Sequence, residues 1–390
     1  MLKKMRTFLF FSIIVGISII SVSCNNRSHK ENEYETISIT PSNKQLPMSQ
    51  FIGQIEYIKL TTPKGMALGN IEKVIVHDDL FFVRHGSSNP SVSVFNSEGE
   101  FQYNIGKQGR GPGEYVALND FNIDRTQKTV IIMDLMLQKM HFYNLDGAYV
   151  RSDALPIHAL KFSSLKNGDY IFWVGNLYNE VMNKNETTLW NLYVVNPDLS
   201  IKEKHLEVTK EFMSVMNGSL PSSLSPCEDG VNIYAPLSNY IYHYNDRGEF
   251  STKYYLDFGS LNCNFLSELH QYKGIKSSFA FNLRKTGATY YPNQLFEFKK
   301  YLYFTFISND DMYSVYYDKE NKSSHVTLGY PVDDINGAIF GRAVASTRNS
   351  LITVIEPVRL MDDNNNVPEK LQHLNLTPNS NPVLAKYTMR

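Results

Sequence analysis

From about residue 50 onward the chain is dominated by short runs of alternating apolar and polar residues, each bounded by Gly, Asn, Ser or Asp. From Leu80 the order is LFFVRHG, SVSVFNSEGEF and QYNIGKQG. From Phe121 it is FNIDRTQKTV, IIMDLMLQKM and HFYNLDGAYV. A period of two places successive side chains on opposite faces of an extended backbone, so these runs predict β-strands with tight turns between them. One stretch breaks the pattern: around Asn262 to Thr289, SELHQYKGIKSSFAFNLRK predicts a helical insertion.

The strand pattern repeats as a sentence: an alternating strand, a turn built on Asn and Gly, and a second strand. SVFNSEGEFQYNIG, HFYNLDGAYVRSDA and YHYNDRGEFSTKYYL are three copies, and LYVVNPDLSIKEKHL is a more divergent fourth. The turn residues Asn96, Asn144, Asn196 and Asn245 lie 48, 52 and 49 residues apart. A fifth unit turns near Asp318, displaced by the insertion, and a shorter one runs from Gly341 through RNSLITVIEPVRL. Units of roughly 40–50 residues with several strands each are the signature of propeller blades. A jelly roll or an immunoglobulin-like pair would not repeat one turn at constant spacing. The expected fold is all-β, a six-bladed β-propeller of four-stranded antiparallel blades. Five blades are complete within the chain. The sixth is expected to combine strands after Ser350 with residues from about Gln54 to Leu60, or else the C-terminal strand joins the first blade. Closing the ring with both termini removes exposed sheet edges.

Aromatic residues make up 13% of the chain, with 25 Tyr and 23 Phe against 2 Trp, which suits half-buried pleated strands. The N-terminus is a different kind of segment. Lys3, Lys4 and Arg6 precede a nearly unbroken apolar run from Phe8 to Val22, followed by Ser21-Val22-Ser23-Cys24. That run is short for a membrane-spanning helix and suits a secretory leader. The Cys24 junction resembles a bacterial lipobox, with Ser21 where Leu is usual. Residues 1–23 are therefore expected to be a lipoprotein signal peptide and Cys24 the site of lipid attachment. Residues 24–49, polar and rich in Asn, Ser, Lys, Glu and Pro, are expected to be a tether of low order. Residues 50–390 form one propeller domain in this reading.

Loss of the leader removes three positive charges and leaves 35 basic against 39 acidic residues, a net of −4. With no basic run of five or more, nucleic acid and polyanions are not expected partners. Cys227 and Cys263 remain after lipidation, and in an oxidising compartment they could pair; two cysteines make no disulfide framework.

The least generic stretch is Ile105 to Tyr115, IGKQGRGPGEY. It is not a phosphate loop, because no Lys-Ser/Thr and no helix follow, and its glycines do not fit a dinucleotide fingerprint. The run GKQGRGPGEY, then FNID, VIIMD and HFYNLDG, resembles NHL-like blades. More closely, it resembles the six-bladed β-propeller lipoproteins of Gram-negative gut anaerobes, and NPVLAKY at the C-terminus is similar to that family's closing strand. The resemblance spans roughly residues 50 to 390, but only the second blade junction carries the full motif. It implies a fold and a cell-envelope location, with outer membrane preferred and either face open; it implies no activity. Within such blades the motif would join the outer strand of one blade to the inner strand of the next. Its glycines would turn the chain while Glu114 caps backbone amides. In a functional reading Arg110, Glu114 and Tyr115 would line a binding face. Asp124 and Asp134 read as supports of turns and strands.

No catalytic constellation emerges. There is no H-E-x-x-H, C-x-x-C, G-x-S-x-G or EF-hand loop, and the DDNNN run at Asp362 reads as a solvated turn. His77, His85, His141, His158, His243 and His325 fall singly along the chain. No metal site and no cofactor are expected. The function expected is a membrane-anchored, monomeric binding module for an extracytoplasmic glycan, peptide or protein. The alternative is a hydrolase or lyase with a metal held in the central channel by residues far apart in sequence.

Overall fold

The computed structural model describes residues 34–176, 188–213, 215, 223–235, 237–275, 278–283 and 289–390. The expected leader and Cys24 lie outside the described residues. The first two strands, β1 (Glu35–Ser38) and β2 (Ile52–Lys59), precede the first complete blade. That blade is β3 (Ile71–His77), β4 (Leu80–His85), β5 (Ser91–Phe95) and β6 (Phe101–Ile105). A small parallel pair, β7 (Lys107–Gln108) and β8 (Glu114–Tyr115), leads to the second blade. Its strands are β9 (Asp120–Asp124), β10 (Thr129–Asp134), β11 (Lys139–Asn144) and β12 (Tyr149–Ala154). The third blade has β13 (Lys161–Ser164), β14 (Tyr170–Trp173), β15 (Leu189–Val195) and β16 (Ile201–Val208). The fourth has β17 (Leu224–Cys227), β18 (Gly230–Tyr234), β19 (Tyr240–Asn245) and β20 (Phe250–Asp257). Helices α1 (Phe265–Gln271) and α2 (Phe279–Asn282) fall within the expected insertion. The fifth blade follows as β21 (Tyr290–Glu297), β22 (Tyr301–Ser308), β23 (Asp311–Asp318) and β24 (Ser323–Leu328). Finally come β25 (Arg342–Ser346), β26 (Ser350–Ile355) and β27 (Val383–Met389). Six blades of four antiparallel strands each make a six-bladed β-propeller, with β1 added to the fourth blade as a fifth strand.

The sixth blade has the order β2-β27-β26-β25, so the last strand of the chain lies between β26 and the early strand β2. Ile55 faces Tyr387 across one seam and Leu351 faces Tyr387 across the other. Both edges of β27 are thus paired.

The repeated Asn turn joins the third and fourth strands of the first four blades. Four times the fourth turn residue donates its amide to the first residue's carbonyl, at 3.0, 3.0, 2.9 and 3.0 Å. That fourth residue is left-handed, at φ +82° for Gly99 and +67° for Leu199. Glycine adopts this conformation freely, whereas the leucine of the divergent copy bears the strain. Apolar side chains fill the wedges between neighbouring blades. Phe82 and Val94 of the first blade pack with Phe121 and Ile132 of the second, all fully buried. Each such side chain contributes about 1.5–3 kcal/mol on burial.

The segment expected to be a low-order tether is folded in its later part. β1 pairs in parallel with β20, Glu35 opposite Tyr254 through Ser38 opposite Asp257. Ile37 and Ile39 are buried against the fourth and fifth blades. Two isoleucines two residues apart give this polar stretch a single apolar face, enough to cover the free edge of β20. Further on, Met48 donates its amide to the Val332 carbonyl at 2.8 Å and is buried. The described fold therefore begins near residue 34 rather than 50. Among the described residues no helix is long and apolar enough to cross a membrane.

Candidate functional site

The first strand of each blade, β3, β9, β13, β17, β21 and β25, lines one central cavity of about 440 Å³. Inner strands of adjacent blades splay too far to share a backbone ladder along their length, so side chains stitch them. The Arg342 guanidinium donates to the Ile71 carbonyl, and Lys73 donates to the Phe121 carbonyl at 2.7 Å. Asn122 reaches the Phe162 carbonyl at 3.1 Å, and Ser225 the Leu295 carbonyl at 2.6 Å. These bonds satisfy buried carbonyls that a sheet would otherwise satisfy.

At the N-terminal ends of the inner strands stands a charged layer. Asp120 is fully buried; its carboxylate accepts from Lys73 Nζ at 2.9 Å and from the Phe162 amide at 3.1 Å. Burial alone would raise its pKa, but Lys73 and Lys161 overcome that and hold it below the ordinary carboxylate value. Lys161 Nζ stands 4.0 Å from the same carboxylate and makes no hydrogen bond among the described residues. Glu72, the second acid of the lining, is bound by Arg84. At the opposite mouth Arg125 donates to His77 Nδ1 at 3.0 Å and to the Val76 carbonyl at 2.8 Å. Lys166 pairs there with Asp246 at 3.2 Å.

The lining thus carries five cations, Lys73, Arg125, Lys161, Lys166 and Arg342, against two acids that already have partners. Phe162 and Phe296 add aromatic surface. The near-neutral balance of the whole chain concealed this local excess. Inner-strand residues come singly from positions tens of residues apart, and no run of charge announces them.

The sequence-predicted loop is elsewhere. Arg110 is exposed, Glu114 is half-buried and Tyr115 is buried, and none of them lines the cavity. Glu114 accepts from the Gly111 amide at 2.8 Å and pairs with Lys107 at 3.0 Å. Those contacts hold its pKa below the ordinary value, the Gly111 amide first. The Tyr115 hydroxyl donates to the Pro90 carbonyl at 3.2 Å, within the first wedge. The loop connects β6 to β9 and delivers the chain to Asp120. Asp134 secures its exit by accepting from the Val116 amide at 2.6 Å, and Asp124 accepts from the Thr126 and Gln127 amides at 2.9 Å each.

Cys227 and Cys263 are both free thiols, so the pairing considered from the sequence is not formed. Cys227 has a different neighbourhood: its sulfur, a carboxylate oxygen of Asp229 and a ring nitrogen of His243 lie within 4.8 Å of one another. His243 reaches Cys227 from β19, two strands away across the blade, so nothing in their sequence positions brings them together.

Residues 34–388 match the profile of a domain of unknown function, DUF4934. The chain belongs to the DUF4934 family. Among solved structures, the DUF4934 propeller is similar to a protein of Bacteroides fragilis described as exported. The two share 19% identity at a TM-score of 0.73, over 91% of this chain and 99% of that one. A member of the DUF4221 family from Bacteroides vulgatus aligns at 8% identity and a TM-score of 0.49, over 90% and 99% of the two chains. Virginiamycin B lyase from Staphylococcus aureus aligns at 11% identity and a TM-score of 0.40, over 86% and 99%. No curated protein matches the DUF4934 chain.

Proposed function

We propose that this propeller is an extracytoplasmic binding module that takes a short acidic saccharide into its central channel. The observation that carries the reading is Lys161, a channel cation with no hydrogen bond among the described residues, beside acids that are already paired. A carboxylate entering the channel would complete its coordination, with Arg342 across the same layer. A cavity of about 440 Å³ suits two or three sugar rings, in the range typical of small-molecule sites, ~300–1,000 Å³. Phe162 and Phe296 offer faces on which sugar C–H groups can pack. Location is part of the same proposal: the leader-like N-terminus and Cys24 support lipid attachment at the outer membrane. The exported Bacteroides relative is consistent with it.

Titration calorimetry with di- and trigalacturonate, against neutral galactose oligomers of equal length, tests the ligand class. Binding is expected for the acidic sugars only. Lys161→Met should weaken it about 10- to 100-fold, the equivalent of one charge-assisted hydrogen bond of ~1.5–3 kcal/mol. Equal affinity for neutral sugars, or an unaffected Lys161→Met variant, would refute the proposal, and a preference for acidic dipeptides would replace it.

A further inference from the structure

The cluster at Cys227 has the separations of a metal site. Cys227 Sγ lies 3.5 Å from Asp229 Oδ1, which lies 3.6 Å from His243 Nε2. Ligand atoms bound tetrahedrally to one zinc ion at about 2.0–2.3 Å sit roughly 3.3–3.6 Å from each other. The two separations to Asp229 therefore stand near metal-bridged distances, while the sulfur lies 3.9 Å from Nδ1 of the same imidazole and the three groups fall within 4.8 Å of one another.

The histidine is also held in the state a metal requires. Asn232 donates its amide to Glu297 Oε2 at 2.6 Å. A carboxylate only accepts, so the amide is oriented with Oδ1 toward His243 Nδ1, 3.0 Å away. Nδ1 must then carry the proton, and Nε2 presents its lone pair. That nitrogen is buried and has no hydrogen-bond partner. Leaving a buried ring nitrogen unpartnered is costly unless something else occupies the position. Glu297 is fixed in turn by Lys253 at 2.8 Å and Lys319 at 2.9 Å. A carboxylate, an amide and a histidine in series are the outer support usual around metal-bound imidazole.

We propose that Cys227 Sγ, Asp229 Oδ1 and His243 Nε2 form a three-ligand site for a divalent transition ion of the zinc type, beside the second mouth of the channel. The position follows from Pro226, which lines the cavity, and from Lys166, which bonds the Glu228 carbonyl. Asp229 is exposed, so the cluster is open to solvent. On binding, the sulfur–metal bond forms as the thiol proton leaves to solvent, and the two anionic ligands neutralise the ion. The site shares no ligand with the saccharide reading, and each can fail alone.

The test uses the full chain carrying Cys24→Ser and Cys263→Ser, so that Cys227 is the sole thiol. Titration with Zn²⁺ should show one ion per chain, and Co²⁺ should give a thiolate-to-metal charge-transfer band. Asp229→Ala, an exposed change, should weaken Zn²⁺ binding at least tenfold. Asn232→Ala should weaken it about 10- to 100-fold by releasing the imidazole. Cys227→Ser should abolish the band. Binding without a thiolate band, affinity unchanged in Asp229→Ala, or no Zn²⁺ uptake at micromolar concentration would each overturn the proposal.

Discussion

Replacing Asp120 by Asn isolates the electrostatics that hold the channel layer together. The carboxylate is fully buried between Lys73 at 2.9 Å and the Phe162 amide at 3.1 Å, with Lys161 at 4.0 Å. The amide of Asn would turn donors toward donors on one side and remove the negative charge from both lysines. Lys73 would keep only the Phe121 carbonyl. Breaking a buried ion pair costs ~3–5 kcal/mol, whereas an exposed pair contributes ~0–1. The Lys73 side chain is 25% exposed and recovers part of its hydration, so the expected loss is about 2–4 kcal/mol. Urea unfolding at pH 7 would read this as a lowered midpoint with an unchanged slope. Adding Lys73→Met to Asp120→Asn removes the stranded charge and should restore at least half of the loss. Because the folded pKa of Asp120 is depressed, its contribution is present above the unfolded carboxylate value and fades as pH falls through the folded one. Wild type and Asp120→Asn should converge there. A loss under about 1 kcal/mol, or a double variant no better than the single one, would refute the reasoning.

Other outcomes follow from particular contacts. A Cβ on Gly99, at φ +82°, would run into the Lys59 carbonyl of the closing blade. Gly99→Ala should therefore cost about 2–4 kcal/mol in a urea titration. Gly337→Ala, at φ +69° with open space around it, should cost only about 1. Tyr115→Phe loses one hydrogen bond and should destabilise by about 1 kcal/mol. Arg110→Ala should leave channel binding within about twofold, since an exposed side chain outside the cavity contributes little. Burial would raise the pKa of Glu297, yet Lys253, Lys319 and Asn232 lower it from 4.5 to about 2. Its stabilisation, on the order of 3 kcal/mol, is complete above about pH 4.5 and disappears as pH falls toward 2. Glu297→Gln should flatten the acid limb of the stability–pH curve over that window.

The architecture was legible because a propeller writes the same local physics repeatedly. Asn96, Asn144, Asn196 and Asn245 mark the same turn in four blades, and even the divergent copy keeps its geometry through Leu199. The closing blade was readable in outline, since a ring needs its edges covered and the C-terminal strand was apolar. The channel was not readable. Lys73, Asp120, Lys161 and Arg342 gather only because each lies at or near the start of the inner strand of a different blade, and one sequence carries no sign of that convergence. For the same reason the glycine-rich loop drew attention as a binding face. Its residues lie outside the central cavity, whose lining resumes at Asp120 just downstream. β1 escaped notice because two isoleucines in a polar segment give too weak a period to stand against the surrounding composition.

The placement of β27 has a consequence for how the protein comes to exist. Glu56 and Lys386, paired at 3.3 Å, are 330 residues apart. β2 precedes the first complete blade, and its antiparallel partner β27 follows only after the other blades have been made. Until then β2 and β26 each present an open edge to any other strand nearby. A chain that stops before Val383 leaves both edges bare, however well its first five blades fold. Ring closure by β27 thus sets the tendency to associate: chains lacking that strand should stick to one another through the two bare edges.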